Sequence, residues 1–124
     1  MALKPGNIKQ TKTASAAYTD TAAKHLFVLP AQAMITNAIT NGVLSNAATT
    51  GVLTLRSQPV DGSSAATAFA VLDVKGGTAG KNTEATLSGI ALTRSSAPQH
   101  ITAIYTESGT AATAGAWSVL VDFL

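Results

Sequence analysis

A chain of 124 residues with 46% apolar and 11% charged side chains has the size of one domain, and its charge content falls well below the ~25% of ordinary soluble proteins. A net charge of +2 and the absence of cysteine exclude a polycation, a disulfide framework and a thiolate metal site. No apolar run approaches the ~20 residues of a membrane helix, and the start MALKPGNIKQ lacks the apolar centre of a secretory signal, so a soluble protein made in the cytosol is expected.

Residues 1–24 carry Lys4, Lys9, Lys12 and Lys24 against Asp20 alone. Pro5-Gly6 is a breaker pair, and the Gln, Thr, Ser and Ala that follow show little periodicity. They read as an extended basic arm with a short strand near Ala16–Tyr18. Residues 25–124 read as the folded domain, slightly acidic, with Arg56, Lys75, Lys81 and Arg94 against Asp61, Asp73, Glu84, Glu107 and Asp122. His25–Leu29 is an apolar strand stopped by Pro30. Ala33–Thr40 is the next, and Asn41-Gly42 is predicted as a turn because that dipeptide takes positive φ at low cost. Val43–Ser45 can continue the sheet. Gly51–Ser57 alternates, with Val52, Thr54 and Arg56 on one face and Leu53 and Leu55 on the other. Pro59–Ser64 is a loop around Asp61-Gly62. Thr67–Lys75 is a strand ended by Gly76-Gly77, and Ala85–Thr93 is another. A Ser-Ser-Ala-Pro loop leads to Ile101–Thr106. Ala116–Phe123 closes the chain, with Trp117, Val119, Val121 and Phe123 on one face. Seven or eight short strands with turn signals every ~8–12 residues are the pattern of an all-β sandwich or barrel; the fold expected is a single antiparallel β-sandwich, jelly-roll-like, with an extended N-terminal arm.

Few side chains suggest chemistry. Gly76-Gly77-Thr78-Ala79-Gly80-Lys81 superficially resembles a phosphate loop. Lys75 occupies the place of the first required Gly, Asn82 that of the Ser or Thr, and no amphipathic helix follows; a flexible connection is expected. His25 and His100 have no ligand close in sequence, so no metal site is predicted. A Ser-His-Asp triad has no G-x-S-x-G support. The six carboxylates are scattered. Asp73 and Asp122 fall within strands, where an edge or interface charge paired with Arg56 or Arg94 is expected. Most aromatics are needed for the core, with Trp117 the candidate interface anchor. Three spaced lysines without interleaved aromatics argue against a nucleic-acid partner.

Two segments carry a resemblance. His25–Asn41, HLFVLPAQAMITNAITN, runs apolar strand, Leu-Pro, short turn, then a strand with spaced apolar residues. Ile101–Leu124 combines a Thr/Gly/Ala loop, Ala-Gly and an apolar closing strand. Both resemble small β-sandwich proteins from the virions of tailed bacteriophages, with Gln32-Ala33 departing from the Gly often found in the first turn. The resemblance implies a capsid decoration (cement) protein on the capsid surface, without enzymatic activity or cofactor. Its implied partners are the major capsid protein and further copies of itself, as a trimer. Lys4, Lys9 and Lys12 are the expected capsid contacts of the arm. Trp117, Val119 and Phe123 are the expected core or oligomer anchors. A receptor- or glycan-binding module of a fibre or spike, which needs exposed aromatics, is the first alternative. A small hydrolase on a sandwich scaffold is the second.

Overall fold

A computed structural model describes residues 8–89, 91 and 93–124; among these there are nine strands and no helix. The strands are β1 (Gln10–Ala17), β2 (Lys24–Leu29), β3 (Ile35–Val43), β4 (Thr50–Pro59), β5 (Thr67–Asp73), β6 (Thr83–Glu84), β7 (Thr86–Leu87), β8 (Gln99–Ser108) and β9 (Ala116–Phe123). They form a four-stranded sheet, β1-β9-β3-β6, and a five-stranded sheet, β2-β8-β4-β5-β7. Every pairing is antiparallel.

The pairings have a simple logic. β1 pairs β9, β2 pairs β8, β3 pairs β6 and β4 pairs β5, as in one long hairpin. That ribbon folds over so that β9 meets β3 and β8 meets β4. This is the double-sheet jelly roll, with β7 added beside β5. The expected sandwich is therefore the observed architecture.

Alternation supplies the core. Leu53 and Leu55 of β4, Ile101, Ala103 and Tyr105 of β8, and Phe69 and Leu72 of β5 face Trp117, Val119, Val121 and Phe123 of β9; all are at most 4% exposed. Fully burying one such apolar side chain stabilises the fold by about 1.5–3 kcal/mol. Three register shifts break strict alternation, at His25/Phe27, Ile35/Asn37 and Leu55/Arg56. The second shift lets Ile35 and Ala38 both point inward, at 4% and 0% exposure, although their spacing is odd. The third does the same for adjacent Phe69 and Ala70.

Three expectations need correction. Asn41-Gly42 is not a turn: β3 runs through it, Asn41 opposite Ser118 and Gly42 opposite Trp117. Gly42 is needed there for close approach, because a Cβ would lie 2.1 Å from the Ala116 carbonyl oxygen and its φ is +154°. Ala85–Thr93 is not one strand. Among the described residues only Thr86–Leu87 of it is strand, β7, which pairs with β5; the preceding β6 (Thr83–Glu84) pairs with β3 of the other sheet, and Gly89 then turns the chain at φ +61°. Within the arm, β1 is an eight-residue strand paired along its whole length with β9. It contributes Ala16, 2% exposed, to the core. Thr11, Thr13 and Ser15 alternate with Lys12, Ala14 and Ala16, so pairing with β9 needs no apolar signal from β1 itself.

Candidate functional site

Polar side chains gather at three places. The first lies at one end of the sandwich. Tyr105 is 1% exposed, and its hydroxyl shares a short hydrogen bond with Ser45 Oγ. The same hydroxyl donates to Glu107 Oε2 at 2.8 Å, and that oxygen also accepts the Ala112 N–H at 3.0 Å. Burial, opposed by the Ser45 hydroxyl and reinforced by Glu107, pushes the Tyr105 phenol above its ordinary value of 10.0. Beside it, Asn46 Oδ1 accepts the N–H groups of Thr113 and Ala114 at 2.7 and 3.0 Å. This network fixes the β3–β4 and β8–β9 loops to each other. Trp117 stacks on Tyr105 with ring centroids 5.5 Å apart. Its Nε1–H has no protein acceptor among the described residues.

The second place joins β1 to β9. Asp122, 8% exposed, accepts a hydrogen bond from the Thr11 hydroxyl and pairs with Lys9 Nζ at 3.3 Å. Its partner is thus Lys9, in place of the arginine expected. Arg94 instead donates to the carbonyl oxygens of Gln32 at 2.8 Å and Leu124 at 3.4 Å. Asp73 also has another role: Oδ1 accepts the N–H groups of Lys75 and Gly76 at 3.0 and 2.7 Å, shaping the turn after β5.

The third place is the outer face of the five-stranded sheet. His25 of β2 and His100 of β8 meet there, Nδ1 to Nδ1 at 3.3 Å, with rings edge to face and centroids 4.9 Å apart. Seventy-five residues separate them in the chain, so no sequence spacing announces the pair. Along the same face, Ile104 lies opposite Thr54, which lies opposite Val71. Val71 is 54% exposed, and Val52 and Val28 are half-buried. A shallow depression of about 390 Å³ occupies this face, with Val52, Val71, Asp73 and Lys75 in its lining.

The expected site residues are spread over both layers. Lys4 lies outside the described residues. Lys9 has 65% of its side chain exposed even while paired with Asp122. Lys12 is exposed on β1, an edge strand of the four-stranded sheet. Trp117, Val119 and Phe123 are core residues. The glycine-rich segment 76–81 is a connection between β5 and β6.

General acid–base chemistry finds few free groups. Five of the six carboxylates hold neighbouring groups in place: Asp20 caps the Ala17 N–H, Asp61 the Ser63 N–H, and Asp73, Glu107 and Asp122 act as above. The Ser63 backbone N–H, then its hydroxyl, holds the Asp61 carboxyl below its ordinary 3.8. No group of three or more His, Asp or Glu able to hold a metal occurs among the described residues. Nor is there an aromatic platform: five of the six aromatics are at most 9% exposed, and Tyr18 is half-buried.

No protein-family model matches the chain. No curated protein matches it either. Solved structures do share its fold. A chain of the cyanophage Pam1 capsid asymmetric unit superposes with a TM-score of 0.63 at 17% identity, over 99% of this chain and 89% of that one. A chain of the Ralstonia phage GP4 capsid gives 0.59 at 16% identity, over 100% of this chain and 90% of that one. At these identities the likeness is one of fold, and it extends over nearly the whole of each chain.

Proposed function

We propose that this protein is a non-enzymatic structural component of a phage virion. It binds the outer surface of the capsid and stabilises the shell by bridging neighbouring capsid subunits. The observation that carries the reading is the end-to-end match of one jelly roll to chains from two phage capsid structures. Jelly rolls recur in viral capsid domains. Lectins share the architecture, so fold alone does not separate the two uses. The burial of five of six aromatics favours the structural reading over a glycan-binding spike module, which needs exposed ring faces.

Two surfaces suit docking. The first is the open edge of β1. Its unpaired N–H and C=O groups can accept a strand from a neighbour, where main-chain bonds supply affinity with little demand on sequence. Lys9 and Lys12 flank this edge and can meet acidic groups of a capsid subunit, with Lys4 further along the chain. The second is the apolar stripe of Val52, Ile104 and Val71, with the shallow depression beside Val52 and Val71. Self-association as a trimer brings several such surfaces to bear on one lattice, and multivalency then multiplies weak contacts.

The experiment is a binding assay with purified protein and capsids that lack it, read by co-sedimentation and cryo-electron microscopy. Saturable, site-specific density on the capsid exterior is the expected result. Removing residues 1–8 while replacing Lys9 and Lys12 by Glu should weaken uptake and leave the circular dichroism spectrum intact; Val71→Glu should do the same if the sheet face docks. Unchanged uptake by all variants dismisses these surfaces. Absence of uptake together with binding to a host polysaccharide supports the spike reading instead.

A further inference from the structure

His25 and His100 stand on neighbouring antiparallel strands of an exposed sheet face. Val28 lies opposite His100 and Thr102 opposite His25. The register shift between His25 and Phe27 draws the two rings together, because the extra residue slides His25 along β2 toward His100. The two Nδ1 atoms are 3.3 Å apart. Tetrahedral Zn–N bonds of about 2.0–2.1 Å place two ligand nitrogens about 3.3–3.4 Å from each other. The separation therefore equals the bite of a zinc chelate. Imidazole is also a preferred ligand type for this ion.

We propose that His25 and His100 form a two-imidazole chelate for Zn²⁺ on the outer face of the five-stranded sheet. Each Nδ1 lone pair is donated to the ion, each ring then carries its proton on Nε2, and two remaining positions are filled by water. No covalent or redox step is involved. Strands β2 and β8 hold the ligand backbones, so little ordering entropy opposes binding beyond the side-chain torsions. Lys24, the cation adjacent to His25 in sequence, is paired with Asp20 at 3.6 Å, which offsets one nearby positive charge. The adjacent Val28 and Thr102 carry no charge; Arg56 of β4, opposite Thr102, is a further cation on this face, and its repulsion lowers the affinity for the ion without occupying a ligand position. The proposal does not depend on the virion role.

Isothermal titration of the full chain with ZnCl₂ in a weakly coordinating buffer tests it, alongside histidine ring resonances followed by NMR. The expected result is one ion per chain, with the ring signals of both histidines shifting together. His25→Ala and His100→Ala should each weaken binding by at least about tenfold, the lower range seen when even an outer-shell partner of a metal ligand is lost. Both sites are at the surface, and matching circular dichroism spectra confirm that the variants fold. Equal binding by the wild type and the double variant places the ion elsewhere and overturns the proposal. So does a wild type that binds no zinc, in which case the pair is a hydrogen bond between rings and nothing more.

Discussion

Replacing Trp117 separates two contributions that burial alone confounds. The indole is 4% exposed and stacks on Tyr105 at 5.5 Å, while its Nε1–H lacks a protein acceptor among the described residues. Trp117→Ala removes the ring and leaves a cavity, which costs about 3–5 kcal/mol. Against a total stability of about 5–15 kcal/mol for a domain, that is a severe loss. With a urea slope of about 1–3 kcal/mol/M, the midpoint should fall by about 2 M. Trp117→Phe behaves differently. It gives up roughly 40 Å² of apolar area, worth about 1 kcal/mol. It also removes a buried donor whose unsatisfied state costs about 1–3 kcal/mol, and it keeps a ring against Tyr105. The two terms nearly cancel, so Trp117→Phe should lie within about 1.5 kcal/mol of wild type. Trp117 is the single tryptophan, so unfolding must be followed by far-ultraviolet circular dichroism. A Phe variant as damaged as the Ala variant would show that the N–H makes a strong hydrogen bond, and would refute the argument.

Gly42→Ala should destabilise by about 2–3 kcal/mol, from a Cβ driven against backbone together with an unfavourable φ; a denaturation midpoint equal to wild type would contradict the 2.1 Å approach to Ala116. Asp122→Ala should cost about 1–3 kcal/mol, mainly through the Thr11 hydroxyl bond to a charged group. The exposed Lys9 pair adds at most about 1 kcal/mol. Amide exchange should quicken in β1 before β3, and uniform quickening would mean that Asp122 does not tether the edge strand. Tyr105 makes stability fall in alkali. Its folded-state pKa is raised above 10.0, so its contribution is complete below that pH and is lost as pH rises through the folded value. Tyr105→Phe should flatten that decline while lowering stability at neutral pH, and an unchanged alkaline slope would assign it to another group.

Much of the sandwich was legible because period two is a local property. Alternation placed Leu53 and Leu55 inward and put Trp117, Val119, Val121 and Phe123 on one buried face, as found. The β9 limits, Ala116 to Phe123, follow from Ala-Gly on one side and the apolar run on the other. The scarcity of aromatics correctly indicated that most were needed inside. The polar sequence of β1 hid its strand, because an edge strand draws stability from its neighbour's hydrogen bonds and apolar face. Asn41-Gly42 looked like a turn because the dipeptide tolerates positive φ. In place it serves a close contact between β3 and β9.

Composition and periodicity by themselves determined an all-β chain, its main strands and most of its core, since these depend on residues near one another in sequence. Tertiary structure alone decided the rest. It set the doubled-over hairpin of strand pairings and the three bulges that move Ile35, Phe69 and Phe27 into register. It brought together Ser45, Tyr105 and Glu107, and it joined Lys9 to Asp122. It also set His25 against His100 across 75 residues of chain. Each of these is a non-local contact whose partner is chosen by folding topology, and side-chain alternation carries no information about which strand will lie alongside.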